Sequence, residues 1–361
     1  MNLIIPTVTV AIPTYNEFSN IEKVIQGFLE TDYPNLLEVL IADGGSTDGT
    51  VDKVIKLSLV DKRVRLLDNP LRIQSAALKL MLDEAKGDIF LRADAHCEYA
   101  SNYIKQCVEV LLESKSLNVG GAQRFAAKSS FQAGVALASR SFLGSGKAKY
   151  RDPNYCGYAD TVFLGCFWKR ILIEVGGYKI TRKEDTELNL RLLEENAQAI
   201  YVSSKIQVWY FPRKNIKSLW NQYMKYGRGC YLIGIQYPGK LPIRSNFPFY
   251  FISLIILIMF IDLILFHGNL HATIFLVAGF IAVFLEAFLV TWRFNESFES
   301  EFWRGSKENI PSFLSRYLIC GVTLMVIPIA HFWGYAYQLV RHKVLHLNEN
   351  YFLESGYEIK K

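Results

Sequence analysis

Residues 37–49, LEVLIADGGSTDG, decide how this chain folds. An apolar run of strand length, Leu37–Ala42, stops at Asp43-Gly44-Gly45-Ser46-Thr47-Asp48-Gly49, and a helical stretch, Thr50–Leu59, follows at once. The same unit recurs on either side. Val8–Ile12 leads into Pro13-Thr14-Tyr15-Asn16-Glu17 and then Ser19–Leu29. Arg63–Leu67 leads into Asp68-Asn69-Pro70 and Ile73–Ala85, and Asp88–Ala93 leads into Asp94-Ala95-His96. Strands alternating with helices at this spacing predict an α/β fold, a mainly parallel sheet with right-handed crossovers and flanking helices.

Polar and acidic residues therefore gather at the carboxyl ends of all four strands, the edge where open α/β sheets bind ligands. Neither the dinucleotide pattern GxGxxG nor the phosphate-cradling GxxxxGK[ST] follows the first strand. Asp94 and His96 offer a carboxylate and an imidazole one residue apart. Such a pair suits a divalent cation that keeps water and phosphate oxygens in its other positions. A hydrogen-bonded loop pair is the other reading of these two residues. Further on, Thr181-x-x-Glu184 before Thr186–Leu193 has the spacing of a capping box. On the residues alone, Glu184 is then a cap and Asp185 a solvated first-turn acid favoured by the helix dipole.

The chain has 361 residues, 51% of them apolar and 20% charged, which allows two or three domains and excludes a disordered chain. Six cysteines without a CxxC spacing fit a reducing compartment. The net charge of +6 comes without a dense basic face or base-reading motif, so no nucleic-acid partner is expected. The opening MNLIIPTVTVAIPTYNE lacks the pattern of a signal peptide.

Beyond Ser245 the composition shifts. Phe249–Phe266, Ala272–Trp292 and Phe313–Val340 each approach or exceed the roughly 20 apolar residues of a membrane span. Asp262 and Glu286 lie inside the first two runs, where a charge must face protein, water or headgroups. No acidic residue occurs between Glu195 and Asp262, while Lys205, Arg213, Lys214, Lys217, Lys225, Arg228, Lys240 and Arg244 do. That asymmetry marks the cytoplasmic side. Within it, Ile216, Leu219, Trp220, Tyr223, Met224, Gly227 and Tyr231 follow helical spacing opposite Lys217, Asn221, Lys225 and Arg228, as in a helix lying on a membrane surface. The expected organisation is a cytosolic domain over 1–245, with an interfacial helix near 215–232, about three transmembrane helices over 246–340, and a polar tail over 341–361. Pro328 offers an alternative in which the third run breaks into a re-entrant pair.

Taken together, Pro13-Thr14-Tyr15-Asn16-Glu17, Asp43-Gly-Gly-Ser-Thr-Asp48-Gly-Thr, Asp94-Ala-His96 and Glu184-Asp185 resemble family 2 of the inverting glycosyltransferases, which have the GT-A fold. The resemblance spans about residues 6–232. Asp160-Thr-Val-Phe-Leu-Gly165 and Tyr226-Gly-Arg-Gly229 are similar to the succinoglycan-biosynthesis branch of bacterial exopolysaccharide transferases. The resemblance implies a nucleotide-sugar donor, by preference a UDP-sugar. Pro13, Thr14, Tyr15, Glu17 and Asp43 would hold its nucleoside, with Asp94 also on the donor side. Asp94 and His96 would bind a divalent cation, Mg²⁺ or Mn²⁺, with His96 standing where most of the family has a second Asp. Asp185 would be the general base, and Asp160, Glu184 and Gln222 would lie on the acceptor side. Gln222-x-x-Lys225-Tyr226 departs from the QxxRW signature of processive synthases at both informative positions. With about three spans, that implies single addition rather than polymer export.

The expected protein is a multi-pass enzyme of the plasma (inner) membrane with its catalytic domain in the cytoplasm. It would pass a sugar to a lipid-linked saccharide acceptor among the membrane lipids. A polyprenyl-phosphate sugar synthase is the alternative within the enzyme class. A transporter or structural membrane protein with a nucleotide-sensing domain is the alternative outside it.

Overall fold

The computed structural model describes residues 5–146, 148–179, 181–265, 267 and 271–347. In chain order the elements begin β1 Val8–Thr14, α1 Ile21–Leu29, β2 Leu36–Asp43, α2 Thr50–Val60, β3 Val64–Asp68, α3 Gln74–Glu84, β4 Ile89–Arg92 and β5 Cys97–Tyr99. They continue α4 Tyr103–Ser114, β6 Asn118–Gly121, β7 Arg124–Phe125, α5 Ser130–Arg140, α6 Phe142–Ser145, β8 Gly157–Tyr158, β9 Phe163–Trp168 and α7 Lys169–Glu174. After them come α8 Glu184–Glu195, β10 Ile200–Val202, β11 Val208–Tyr210, α9 Ile216–Gln236, α10 Ile243–Leu265, α11 His271–Arg293, α12 Phe298–Glu301 and α13 Phe313–Lys343.

Two compact units interleave in sequence. One comprises the described residues up to Arg124 together with Lys149–Tyr210; the other comprises Phe125–Ala148 and the described residues from Phe211 onward. Among the described residues the chain thus changes unit three times.

The first unit is built on an eight-stranded sheet of order β3-β2-β1-β4-β9-β6-β10-β8. β3, β2, β1 and β4 run parallel, as the strand–helix alternation requires. Thr14 lies opposite Asp43 and Asp43 opposite Asp68, so the three strand ends share one edge. β9 then enters antiparallel between β4 and β6, with Leu91 opposite Cys166 and Asn118 opposite Phe167. Reversal places the start of β9, and with it Asp160 and Thr161, at the edge where β4 ends. The core under the sheet is apolar and tight: Ala11, Leu40, Leu78, Met81, Phe90, Phe167, Leu172 and Tyr178 are buried together.

In the second unit α10, α11 and α13 are long and apolar enough to cross a membrane. α13 is unbroken from Phe313 to Lys343 with Pro328 inside it, so the re-entrant break considered for Pro328 does not occur. α9 packs on α13 through glycines: a Cβ on Gly227 would collide with the His331 carbonyl, and one on Gly334 with that of Met224. Arg228 Nε donates to Gln338 Oε1 at 3.0 Å, so this arginine faces α13 rather than the free polar face its spacing suggested. Tyr231 Oη and His342 Nδ1 lie 2.8 Å apart. The expected polar tail lies outside the described residues from 348 on. All six cysteines are unbridged.

Candidate active site

The loops after β1 and β2 are stitched to each other. Asn16, held at φ 54° where a short polar side chain is tolerated, accepts from Thr47 N at 2.9 Å and donates its own N–H to Ser46 Oγ at 2.8 Å. Glu17 N donates to Thr50 Oγ1 at 2.9 Å and Phe18 N to Asp48 Oδ2 at 3.0 Å. The Thr50 hydroxyl in turn donates to Asp48 Oδ1, and that bond first, with the one from Phe18 N, lowers the Asp48 carboxyl pKa. Asp43 organises the second loop: Oδ2 accepts from Gly45 N and Ser46 N, both at 2.8 Å, and Oδ1 from Ser46 Oγ at 2.5 Å. Gly45, at φ 83°, is what lets the backbone fold back onto that carboxylate.

At the end of β4 the side chains change character. Arg92, buried to 5% side-chain exposure, forms an ion pair with Asp185 Oδ1 through Nη1. Its Nη2 lies 3.5 Å from Glu184 Oε1 and 3.8 Å from Asp94 Oδ1. Burial alone would lower the pKa of this guanidinium, but Asp185, Asp94 and Glu184 outweigh it and hold Arg92 charged. Burial, then the neighbouring Asp185, pushes the Glu184 carboxyl up to about 7. Asp185 differs from its neighbours in access: its side chain is 48% exposed, against 10% for Glu184 and 12% for Asp94. Beneath the cluster Tyr178 packs its ring on Phe90 and Phe167, and burial raises its phenol pKa.

α8 presents these acids. It starts at Glu184 with Lys183 as its cap residue and no side-chain cap bond. The capping box read from Thr181-x-x-Glu184 is therefore absent; Thr181 N donates to Ser75 Oγ at 3.2 Å instead. Three acids fall in the first turn, Glu184, Asp185 and Glu187, and each faces an arginine rather than the helix N–H groups alone. Glu187, fully buried, pairs with Arg191 at 2.6 Å and Lys179 at 3.1 Å. Asn189 ties the helix to the start of β9, donating to Thr161 Oγ1 at 2.9 Å and accepting from Asn118 Nδ2 at 3.0 Å.

Asp94 is fixed by Tyr99, whose hydroxyl accepts from Asp94 N at 2.7 Å and donates to Asp94 O at 3.0 Å. His96 Nδ1 lies 3.4 Å from Glu17 Oε1, and its ring sits edge-on to Tyr210. Among the described residues no group of three or more His, Cys, Asp and Glu side chains could hold a metal. A cation here would have two protein donors, Asp94 and His96, and would take its remaining ligands from a bound anion. That donor set, one hard oxygen and one imidazole, fits a divalent ion arriving with a diphosphate.

The structure thus joins Asp94, Glu184 and Asp185 through Arg92, and Glu17 to His96. Gln222 lies in the other unit, on α9, where Nε2 donates to Tyr226 Oη at 3.1 Å. Arg92 is the residue of this cluster that sequence reasoning missed. Its signal was one charge closing the apolar run Ile89-Phe90-Leu91, in a strand enclosed by neighbours on both sides.

A family model described as glycosyl transferase family 2 matches residues 9–168. The succinoglycan biosynthesis protein ExoA of Rhizobium meliloti (strain 1021) is 37% identical over 224 residues, 61% of this chain and 68% of that protein. The chain belongs to glycosyltransferase family 2. A second relative is the dolichyl N-acetyl-alpha-D-glucosaminyl phosphate 3-beta-D-2,3-diacetamido-2,3-dideoxy-beta-D-glucuronosyltransferase of Methanococcus voltae. It is 26% identical over 271 residues, covering 72% of this chain and 83% of the relative. Among solved structures, the mannosyltransferase PcManGT from Pyrobaculum calidifontis, in complex with GDP-Man and Mn²⁺, matches with a TM-score of 0.56 at 18% identity. That match covers 92% of this chain and 88% of the other. The fold of this family 2 member is the GT-A fold. It is a glycosyltransferase of glycan biosynthesis, and among the described residues it carries three helices long and apolar enough to cross a membrane.

Proposed function

We propose that this family 2 enzyme is an inverting transferase that moves a sugar from a nucleotide-sugar, by preference a UDP-sugar, to a lipid-linked saccharide in exopolysaccharide synthesis. The observation that carries the reading is the contrast within one cluster: Asp185 is half exposed while its partner Arg92 is buried. Arg92 engages one carboxylate oxygen and sets the orientation of the other. That second oxygen can take the proton of an acceptor hydroxyl as the hydroxyl oxygen bonds to the anomeric carbon. The bond from that carbon to the diphosphate breaks, and the diphosphate leaves with the electron pair.

Asp43 accepts from the nucleobase with a lone pair its loop does not use, in a site walled by Pro13, Thr14, Tyr15 and Glu17. Asp94 and His96 would hold the divalent cation, Mg²⁺ or Mn²⁺, which when bound neutralises charge on the diphosphate. Tyr99 keeps Asp94 in place for it. Asp160, beside the end of β4, and Glu184 border the acceptor. Support for the membrane-bound acceptor comes from α10, α11 and α13, and from the dolichyl-linked acceptor in the name of the Methanococcus voltae relative. The acid-free basic stretch before α10 supports a cytoplasmic catalytic unit in the plasma membrane, with α9 along its surface.

Chelation tests the donor side. In excess EDTA, sugar transfer by membranes should cease and return with Mg²⁺ or Mn²⁺, and His96→Ala should raise the metal concentration needed. Full transfer in EDTA would overturn the metal assignment. Screening UDP-sugars for donor hydrolysis then identifies the sugar.

A further inference from the structure

We propose that residues 125–146, which interrupt the sheet domain in sequence, form a re-entrant segment whose tip at Phe142 and Leu143 is buried in bilayer hydrocarbon. The inference rests on the reading of α11 as membrane-spanning, and three observations support it.

The first is depth. Phe142 N donates to Glu286 Oε1 at 2.6 Å. Glu286 lies on α11 seven residues before its terminal Arg293, about 10 Å along the axis. Around it Leu285, Phe288 and Leu289 are exposed, the face a spanning helix shows to lipid. The tip continues that face: Phe142 and Leu143 are 59% and 52% exposed.

The second is the way polar backbone is handled. Irregular chain at membrane depth is tolerated only where its N–H groups find partners in the protein. Ser141 N donates to Ala138 O at 3.2 Å, Gly144 N to Ser141 Oγ at 2.9 Å, and Gly146 N to Phe142 O at 3.0 Å. Glu286 supplies the acceptor for Phe142 N. Gly144 is required because a Cβ there would strike the Ala138 carbonyl.

The third is the charge at the segment's shoulder. Arg140, two residues before the tip, reaches back to the end of α11, its guanidinium over the Phe294 ring at 4.9 Å and 3.7 Å from Glu301. A long basic side chain that runs back to the helix end beside an apolar tip is snorkelling. Between them α5 is anchored on α13, where Gly134 leaves room for Ile319 and Cys320. In this arrangement Glu286, an acid in an apolar helix, holds the re-entrant tip.

The test uses the full chain in phosphatidylcholine–phosphatidylglycerol vesicles. Leu143→Cys, in a Cys156→Ser background that removes the exposed native thiol, carries an NBD fluorophore. Ile281→Cys on α11 serves as the reference. Doxyl-labelled lipids should quench both probes several-fold more than aqueous iodide does. Glu286→Leu should shift the Leu143 probe to longer wavelength, whereas Glu286→Gln, which keeps an acceptor oxygen, should not. Iodide quenching at 143 with lipid quenching at 281 would overturn the re-entrant segment alone. Iodide quenching at both would overturn the membrane-spanning reading of α11 with it.

Discussion

Among the described residues each unit buries one arginine, and the two are satisfied by opposite means. Arg92, in the sheet unit, has the carboxylates of Asp185, Glu184 and Asp94 around it. Arg316, at the start of α13, has no carboxylate partner among the described residues: Nη2 donates to Asn295 Oδ1 at 2.7 Å and the guanidinium lies 4.2 Å from the Phe298 ring centre. Its Nε and Nη1 find no partner among the described residues. A buried cation that serves only packing does well enough with a dipole and an aromatic face. One that gathers three acids, and leaves one of them open to solvent, is the arrangement on which the proposed role of Asp185 rests.

Replacing each arginine by methionine should affect the two units very differently. Arg92→Met leaves three clustered acids without their cation, and breaking a buried ion pair this way should lower stability by about 3–5 kcal/mol. It should also abolish transfer. Unfolding followed by tryptophan fluorescence in detergent, beside a transfer assay, reads both. An intermediate effect is expected from pH. The folded protein holds a proton on Glu184 up to about 7, where the unfolded chain has lost it above its ordinary value near 4.5. Stability should therefore fall as pH rises between those values, and Glu184→Gln should flatten that fall. The smallest effect belongs to Arg316→Met. That change removes two unpartnered donors along with one hydrogen bond, so stability should move by about 1 kcal/mol or less. A large loss there would mean that Arg316 has a partner besides Asn295 and Phe298.

Much of the sheet unit was legible in the sequence because its signals are local. Each parallel strand ends in its own turn chemistry, as at Asp43-Gly44-Gly45 and Asp94-Ala95-His96, and those turns mark one edge of the sheet. What was not legible depends on contacts between distant residues. β9 reads as any apolar strand, and only its neighbours β4 and β6 make it antiparallel. Arg92 explains itself only once α8, ninety residues later, brings Glu184 and Asp185 to it. The spacing of Thr181 and Glu184 suggested a cap, but the helix begins at Glu184 and turns its first acids to arginines. α5 is too short to register as a membrane element, and its small residues Ala133, Gly134 and Ala136 reveal a packing face only against α13.

The central claim is that Asp185 takes the acceptor proton while Asp94 and its neighbours hold the donor. Asp185→Asn preserves shape and removes the proton-accepting oxygen. Transfer should fall by about 10²–10⁴-fold, while UDP-sugar affinity measured by calorimetry stays near that of the unmodified protein. Asp94→Asn, measured in parallel, should weaken donor binding as well as turnover. Near-normal transfer by Asp185→Asn, with at most a small loss of stability, would contradict the account and leave Asp185 as a first-turn acid of α8.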